Sequence, residues 1–438
     1  MLARYRSELI HDGKRYFWAY AVLSVEPLLL IPLLIALLRP GEIGVLGSVE
    51  ALIVVLGGLS QLGVKFSYLQ HVADHGQEGR GRGFWTATLM TCAAGFAAGA
   101  LAALLMDSPP VAGVLGMVPG VHWTVLGALM LAINLQMMLV TDLRAKRTPL
   151  PFAVASLVRV CAVALLVFQL TGRMESSIEA ILLAQLIGMA LSIIILLVFG
   201  GMPGVAAFDG GLARGFLGYG WPIALGGLVK YGTDALLPWF CLALVSPVAA
   251  AAMVLALKAS ALFDSCFGSP FLMAWGGRVY HLARERSVAA LSRRLFAEIS
   301  FAVAAALLLS WGLGWLLLQV TAGRDVLLSE ALILLPLALA GRALLVLRSP
   351  ASVGQVVARS MGWNLRYAVA GLVAFAMLGP IAFISSGVVA GWLVFLCIEG
   401  AILIRIYRRG QEMLEAVDVP VSGMASRCTL VEFRSDDG

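Results

Sequence analysis

Apolar runs of about 20 residues recur along the whole chain, and each is long enough to cross the roughly 30 Å hydrocarbon core of a bilayer as a helix. Charged residues lie mostly in the short segments between these runs. They make up 13% of the 438 residues, against about 25% in a soluble domain. A soluble core has no use for so many runs of this length. The pattern therefore predicts an all-α, polytopic membrane protein with about twelve transmembrane helices.

The predicted spans are, in chain order, residues 17–38, 44–64, 84–106, 121–141, 150–170, 179–200, 216–239, 248–275, 297–320, 327–347, 365–385 and 387–407. With the amino terminus in the cytoplasm, the inside segments hold about twenty lysines and arginines, and the outside loops hold only Arg39, Arg173 and Arg324. This asymmetry follows the positive-inside rule and predicts that both termini are cytoplasmic. Residues 410–438 mix charges with proline and glycine, and they are predicted to be a disordered cytoplasmic tail.

The second half of the chain repeats the layout of the first. Moving it back by 207 positions superposes Pro247 on Pro40, and at each proline a short outer connection leads into the next element. The topology of the two halves then runs in the same direction. The repeat predicts two pseudo-symmetric six-helix bundles, residues 1–205 and 206–409, with a substrate site at their interface as in many transporters.

Ionisable residues within the spans mark that site. One further residue of slip in the repeat places Asp234 on Glu26 and Lys258 on Glu50. A charge facing lipid at mid-bilayer costs roughly 2.5–3.5 kcal/mol, so such residues are expected to face a wet cavity. The residues predicted to line a substrate cavity are Glu26, Glu50, Arg159, Lys230, Tyr231, Asp234, Lys258 and Arg342. The alternative is that some of them form buried ion pairs that hold helices in register, or snorkel to the interface.

Other polar residues have simpler explanations. Asn134 and Gln136 are predicted to form hydrogen bonds between helices. His71 and His75 have a helical metal-ligand spacing, but two ligands are too few, and no metal or other cofactor is predicted. Residues 76–83, rich in glycine and arginine, predict a flexible basic loop near lipid head groups. The six cysteines are interpreted as small buried hydrophobes.

Motifs of catalysis are missing from the chain. GxxxxGK[ST], GxSxG and HExxH do not occur, and the outer connections are too short for a catalytic domain. An enzyme is therefore not predicted. The net charge of +6 is explained by the cytoplasmic lysines and arginines rather than by nucleic-acid binding.

Three short stretches resemble the signature of a transporter family. They are residues 37–44 (LLRPGEIG), 61–63 (QLG) and 219–222 (YGWP). They are similar to the L-G-P-E-x-F-G, D-L-G and Y-G-x-P motifs of polysaccharide-biosynthesis (Wzx-type) flippases of the multidrug/oligosaccharidyl-lipid/polysaccharide exporter superfamily. Arginine, isoleucine and glutamine replace the usual glycine, aromatic and acidic residues. Asp234 stands where the family often carries an acid.

The resemblance implies a twelve-helix flippase that moves an undecaprenyl-diphosphate-linked oligosaccharide, such as an O-antigen, lipopolysaccharide or exopolysaccharide repeat unit, across the bacterial inner membrane. It implies alternating access coupled to a proton or sodium ion. Membrane lipids are implied partners, as are a polysaccharide polymerase and glycosyltransferases of the same pathway. The alternatives are a cation-coupled multidrug or metabolite exporter of the superfamily, a membrane-embedded glycan polymerase or acyltransferase, and a non-transporting scaffold. Lys230 and Lys258 favour the flippase, because lysine can bind phosphate.

Overall fold

A computed structural model describes residues 17, 22, 25–26, 29–106, 123–146, 148, 150–174, 176–272, 275, 288–322, 326–357 and 362–418. The regular structure of these residues is helical. The helices are α1 (29–37), α2 (Pro40–Ser60), α3 (Val64–Met106), α4 (Trp123–Lys146), α5 (Leu150–Leu170), α6 (Ser177–Gly200), α7 (Gly210–Leu244), α8 (Pro247–Phe263), α9 (Val288–Ala322), α10 (Val326–Ala351), α11 (Val353–Val357) and α12 (Gly362–Asp418). A π-helical turn, Asp264–Gly268, continues α8.

Two of these helices each contain a break at a glycine. Gly76 in α3 has a φ of 62° and Gly387 in α12 has a φ of 78°, and glycine adopts this region without a Cβ clash. The predicted spans 365–385 and 387–407 thus lie on either side of the break in α12. By length and composition alone, nine helices of the described residues could cross a membrane. The described part of each predicted span is helical except at residue 38 and at the turn 61–63, so the all-α polytopic prediction is confirmed.

Large apolar side chains cover the outside of this helical assembly. Phe301 is 78% exposed, Leu104 70% and Phe168 69%. In water such side chains would form apolar patches far larger than soluble monomers carry. Acyl chains solvate them without cost, as expected of a protein that lies within a bilayer.

The start of α2 differs from its prediction. The helix begins at Pro40, four residues before the predicted residue 44. Proline is favoured in the first turn of a helix because it has no N–H to leave unsatisfied. The N–H of Arg39 also donates to Glu42 Oε2 at 2.7 Å, which caps this turn. Gly41 and Gly44 lie in its first turns and face Pro247 and Ala250 of α8.

Two segments that were predicted to be irregular are helical. The flexible loop predicted for 76–83 is wrong, because α3 resumes directly after Gly76. The disorder predicted for the tail is wrong for 410–418, since α12 continues to Asp418; residues 419–438 lie outside the described residues. The extension packs on α9, where Gln411 Nε2 donates to Ser292 Oγ at 3.3 Å.

We refer to α1–α6 as the N half and to α7–α12 as the C half. Within the N half, α3 packs on α4, and α6 packs on both α4 and α5. Within the C half, α10 packs on α8, α9 and α12. The halves meet where α2 packs against α7 and α8, and where α3 packs against α7.

Hydrogen bonds between helices hold the N half together. Asn134 Nδ2 donates to Ser60 Oγ at 2.8 Å and to the Thr91 carbonyl at 3.0 Å. Gln136 Nε2 donates to Ser192 Oγ at 2.7 Å. The prediction that Asn134 and Gln136 join helices is confirmed.

Candidate functional site

An ion pair joins α2 of the N half to α8 of the C half. Lys258 Nζ on α8 lies 2.6 Å from Glu50 Oε2 on α2. Glu50 is ten residues from Pro40 and Lys258 is eleven from Pro247. At 1.5 Å per residue, both side chains lie about 15 Å from the start of their helices, near the middle of a core of roughly 30 Å. The pair therefore places two opposite charges between the halves at mid-bilayer depth.

Both carboxylate oxygens of Glu50 have partners. Gln185 Nε2 on α6 donates to Glu50 Oε1 at 2.9 Å, and Lys258 donates to Oε2. The first contact lies within the N half and the second crosses to the C half. The side chains of Lys258 and Glu50 remain 18% and 22% exposed, so the pair is not sealed in the core.

The two members of the pair stand at positions that the predicted sequence repeat treats as equivalent. Lys258 is 208 residues after Glu50, which is the offset at which the sequence repeat equates these two positions. Side chains at equivalent positions meet only near the axis that relates the halves. The predicted repeat would therefore place Glu50 and Lys258 close to such an axis.

The other predicted cavity residues lie in different helix contacts. Glu26 Oε1 is 3.3 Å from the NH2 group of Arg159 on α5, within the N half. Asp264 Oδ2, in the π-helical turn after α8, is 3.3 Å from Arg342 Nε on α10, within the C half. π-helical turns in membrane helices are frequent at functional sites.

Three further residues of the predicted cavity are on α7. Lys230, Tyr231 and Asp234 belong to the helix Gly210–Leu244, and their side chains lie outside the described part of the structure. Because α7 packs against α2, this helix belongs to the interface between the halves. The eight-residue cavity itself remains a prediction.

Small residues bring α2 and α8 into backbone contact beside the ion pair. A Cβ placed on Gly44 would lie 3.0 Å from Ala250 Cβ, and one on Gly47 would lie 2.0 Å from Val254 Cγ2. Any side chain at residue 47 would therefore force the helices apart. We call this contact, Gly41–Gly47 against Pro247–Val254, the seam.

A second close contact lies at the opposite end of α2. Leu62 and Gly63 turn the chain with φ values of 49° and 67°. A Cβ on Gly63 would lie 2.1 Å from the Gly220 carbonyl oxygen of α7, and Ser67 Oγ donates to the Phe216 carbonyl at 2.9 Å. The stretches 61–63 and 219–222, which resemble family motifs, thus touch each other, and their glycines are required by this contact.

A buried cluster in the N half was missed by the sequence reasoning. Asp142 accepts hydrogen bonds from Tyr68 Oη at 2.6 Å and, in bidentate fashion, from Arg80 Nε and NH2 at 2.8 Å each. Lys146 Nζ is 3.0 Å from Asp142 Oδ2 and also donates to the Gly200 carbonyl. Burial, together with the Asp142 hydrogen bond, raises the pKa of the Tyr68 phenol, so Tyr68 stays protonated and donates. The cluster joins α3, α4 and α6. Both carboxylate oxygens of Asp142 are engaged within it.

A buried pair with a similar role lies in the C half. Arg348 NH1 on α10 is 3.1 Å from Glu399 Oε2 on α12, and these side chains are 13% and 3% exposed. Both members lie within one half and away from the seam. This geometry agrees with the alternative that some charges in the spans hold helices in register.

No group of three or more metal-ligating side chains occurs in the part of the chain that the structure describes. His71 Nε2 lies 3.2 Å from the Gly79 carbonyl oxygen, and the rings of His71 and His75 lie 4.4 Å apart. These two side chains are thus used in local packing of α3.

No family model matches the chain, and comparison with curated protein sequences gives no match. Solved structures are similar. A Pyrococcus furiosus MOP-superfamily transporter, described as having a binding pocket of reverse polarity that suggests a different function, has a TM-score of 0.67 at 10% identity, covering 94% of this chain and 96% of that one. The Vibrio cholerae MATE transporter VcmN, in a mutant form, has a TM-score of 0.64 at 13% identity, covering 95% and 98%.

An inward-facing multidrug resistance MATE family transporter of the MOP superfamily has a TM-score of 0.58 at 12% identity, covering 93% of this chain and 96% of that one. Each of these similarities extends over nearly the whole length of both proteins. At such identities they establish the architecture, and the chain has the fold of MATE transporters of the MOP superfamily.

Proposed function

We propose that the protein is a flippase that moves an undecaprenyl-diphosphate-linked oligosaccharide across the bacterial inner membrane by ion-coupled alternating access. Its two moving parts are the bundles 1–205 and 206–409, with both termini in the cytoplasm. The observation that carries the proposal is the ion pair between Glu50 and Lys258, which places a cation between the halves at mid-bilayer depth. The stretches that resemble flippase motifs support it.

Lys258 is suited to an anionic cargo. An unaided sugar diphosphate cannot enter hydrocarbon, because its charges would lose their hydration. A lysine between the halves offers three donors to phosphate oxygens, and Lys230 on the neighbouring α7 adds a second cation. The lipid tail stays in the bilayer while the head group crosses. The coupling proton or sodium ion is assigned to the acids Glu26 and Asp234.

The close contacts between the halves support alternating access. The seam joins α2 to α8, and the contact of Gly63 with Gly220 joins the other end of α2 to α7. Both contacts are made by small residues, which allow backbones to approach closely and hold helices together without interlocking side chains. Opening one contact while the other stays closed would expose the interface to one side of the membrane at a time.

The cargo is tested in cells. We expect deletion of the gene to accumulate undecaprenyl-linked repeat units on the inner leaflet and to abolish surface glycan, with restoration by the wild-type gene. Lys258→Gln should fail to restore surface glycan. Lys65→Gln, the same change at a lysine that donates to Gln61 four residues earlier in the chain, should restore it fully. Normal surface glycan in the deletion strain would refute the proposed cargo.

Alternating access is tested with disulfides. A Cβ on Gly41 lies 3.6 Å from Pro247 Cβ, and one on Gly314 lies 3.8 Å from Ala259 Cβ; both suit a disulfide, whose Cβ atoms lie about 3.5–4.5 Å apart. The pair Gly41→Cys/Pro247→Cys joins the two halves, whereas Ala259→Cys/Gly314→Cys joins two helices of the C half. In a cysteine-free background we expect oxidation to stop transport reversibly only with the first pair. Full transport with the seam cross-linked would contradict the mechanism.

A second candidate is a cation-coupled multidrug or metabolite exporter. It is favoured by the comparison structure described as a multidrug resistance transporter. The deletion strain distinguishes the two functions. Loss of an exporter should increase sensitivity to cationic drugs and leave the amount of lipid-linked intermediates unchanged. For the P. furiosus transporter, the reverse polarity of the binding pocket suggests a different function. By the same reasoning the charge of the interface is used to choose here, and Lys258 favours an anionic cargo.

A further inference from the structure

Glu50 forms an ion pair with Lys258, the lysine to which the proposed cargo would bind. Lys258 Nζ lies 2.6 Å from Glu50 Oε2, so a phosphate oxygen and the carboxylate would compete for the same donor. Gln185 holds the other oxygen of Glu50 at 2.9 Å from within the N half. If Lys258 moves to a phosphate, Glu50 keeps one hydrogen bond and its place on α2. The exchange therefore leaves no carboxylate entirely without a partner.

We propose that Glu50 is a specificity-determining residue, which sets a minimum negative charge for the cargo. This inference rests on the proposed function. A neutral or cationic amphiphile has nothing to offer Lys258 in exchange for the carboxylate. A phosphate monoester carries a charge of about −1.5 to −2 at neutral pH, and a diphosphate carries more charge and more acceptor oxygens. The diphosphate is thus the ligand that displaces Glu50 most effectively.

Displacement of Glu50 also frees the halves. The ion pair crosses from α2 to α8 directly beside the seam, where Gly47 contacts Val254. While the pair is intact, separation of the halves would leave both charges unpaired in a low-dielectric region, which is costly. Cargo that takes Lys258 removes this penalty. The same competition that selects the diphosphate therefore permits the conformational change only when cargo is bound.

The test compares two lipids that differ by one phosphate group. Purified protein in nanodiscs is titrated with undecaprenyl diphosphate, with undecaprenyl phosphate, and with undecaprenol as the uncharged control. We expect the wild type to prefer the diphosphate over the monophosphate. Glu50→Gln, which keeps the shape and the amide contact to Gln185 but removes the competing charge, should tighten monophosphate binding and lower this preference by at least about fivefold, the low end of typical coupling.

A second measurement uses native Glu50, so that it does not depend on the folding of a variant. In the Gly41→Cys/Pro247→Cys protein, the diphosphate should slow cross-linking of the seam, and the monophosphate should slow it much less. An unchanged lipid preference in Glu50→Gln, or equal slowing by both lipids, would overturn the role of Glu50 while leaving the flippase proposal intact. A wild type that binds neither lipid overturns the inference, and the deletion strain then decides separately whether the proposed function also fails.

Discussion

Adding one methyl group at residue 47 should drive the two halves apart. A Cβ on Gly47 would lie 2.0 Å from Val254 Cγ2, 2.8 Å from its Cγ1 and 3.0 Å from its Cβ. Carbon atoms in ordinary contact are about 3.5–4.0 Å apart. The two helices must therefore separate by about 1.5 Å, or Val254 must leave its position opposite Gly47.

The expected size of the effect follows from this overlap. Overpacking of this kind typically costs about 1–3 kcal/mol. Because about 1.4 kcal/mol corresponds to a factor of ten, Gly47→Ala should make closure of the seam about 5- to 150-fold less favourable. Val254→Ala removes the two nearest atoms and leaves only the 3.0 Å approach to Cβ. The double variant should thus recover most of the closure.

The assay is the initial rate of cross-linking between Gly41→Cys and Pro247→Cys, detected after cleavage at a protease site inserted into the exposed connection 201–209. Gly57→Ala is the matched control on the same helix, since its Cβ would meet the nearest atoms at 3.8 Å and 3.9 Å. Both variants gain the same helix propensity, about 1 kcal/mol, which the comparison cancels. Cross-linking of Gly47→Ala at the wild-type rate, or equal slowing by Gly57→Ala, would refute the steric argument.

The remaining predictions concern the stability of the two halves, measured as thermal unfolding in detergent. Asp142→Asn should lower stability by about 3–5 kcal/mol because it removes the counter-ion of buried cations. Tyr68→Phe should lower it by about 1.5–3 kcal/mol, because one hydrogen bond to a charged group is lost. A larger loss for Tyr68→Phe than for Asp142→Asn would show that the carboxylate is not the centre of the cluster. Glu399→Gln should destabilise by a similar 3–5 kcal/mol or so, and Arg348→Met/Glu399→Leu should restore most of the loss, since apolar pairs of similar volume can replace a buried ion pair. Failure of that rescue would indicate a role beyond packing.

The positions of the membrane helices were predictable because hydropathy alone decides which segments can cross a bilayer. The ends of these helices were less predictable. The glycines of 76–83 suggested a loop, yet the segment is helical, and Gly47 and Gly63 allow close packing against neighbouring helices. Sequence shows that a glycine is present; only the neighbouring helix shows whether it turns the chain or admits another backbone.

The partners of the charges could not be predicted, because a pair such as Glu50 and Lys258 forms between helices far apart in the chain. The role of Gln185 could not be predicted, because an amide in a span indicates a hydrogen bond between helices but not its partner. Asp142 was missed because it directly follows the predicted span 121–141 and lies among cytoplasmic cations. Its spacing of four from Lys146 was the one available signal, because residues four apart share a helical face.

The contact between Glu50 and Lys258 has an implication for ancestry. An ancestral dimer of identical halves would have placed this position against its own copy, as any two-fold interface does near its axis, and so would have opposed acid to acid or base to base. On the predicted repeat, an attractive pair there would become accessible only once both copies were encoded in one gene and could mutate independently. Fusion would then do more than tether two subunits, because it would allow opposite signs at a site where two-fold symmetry forbids them.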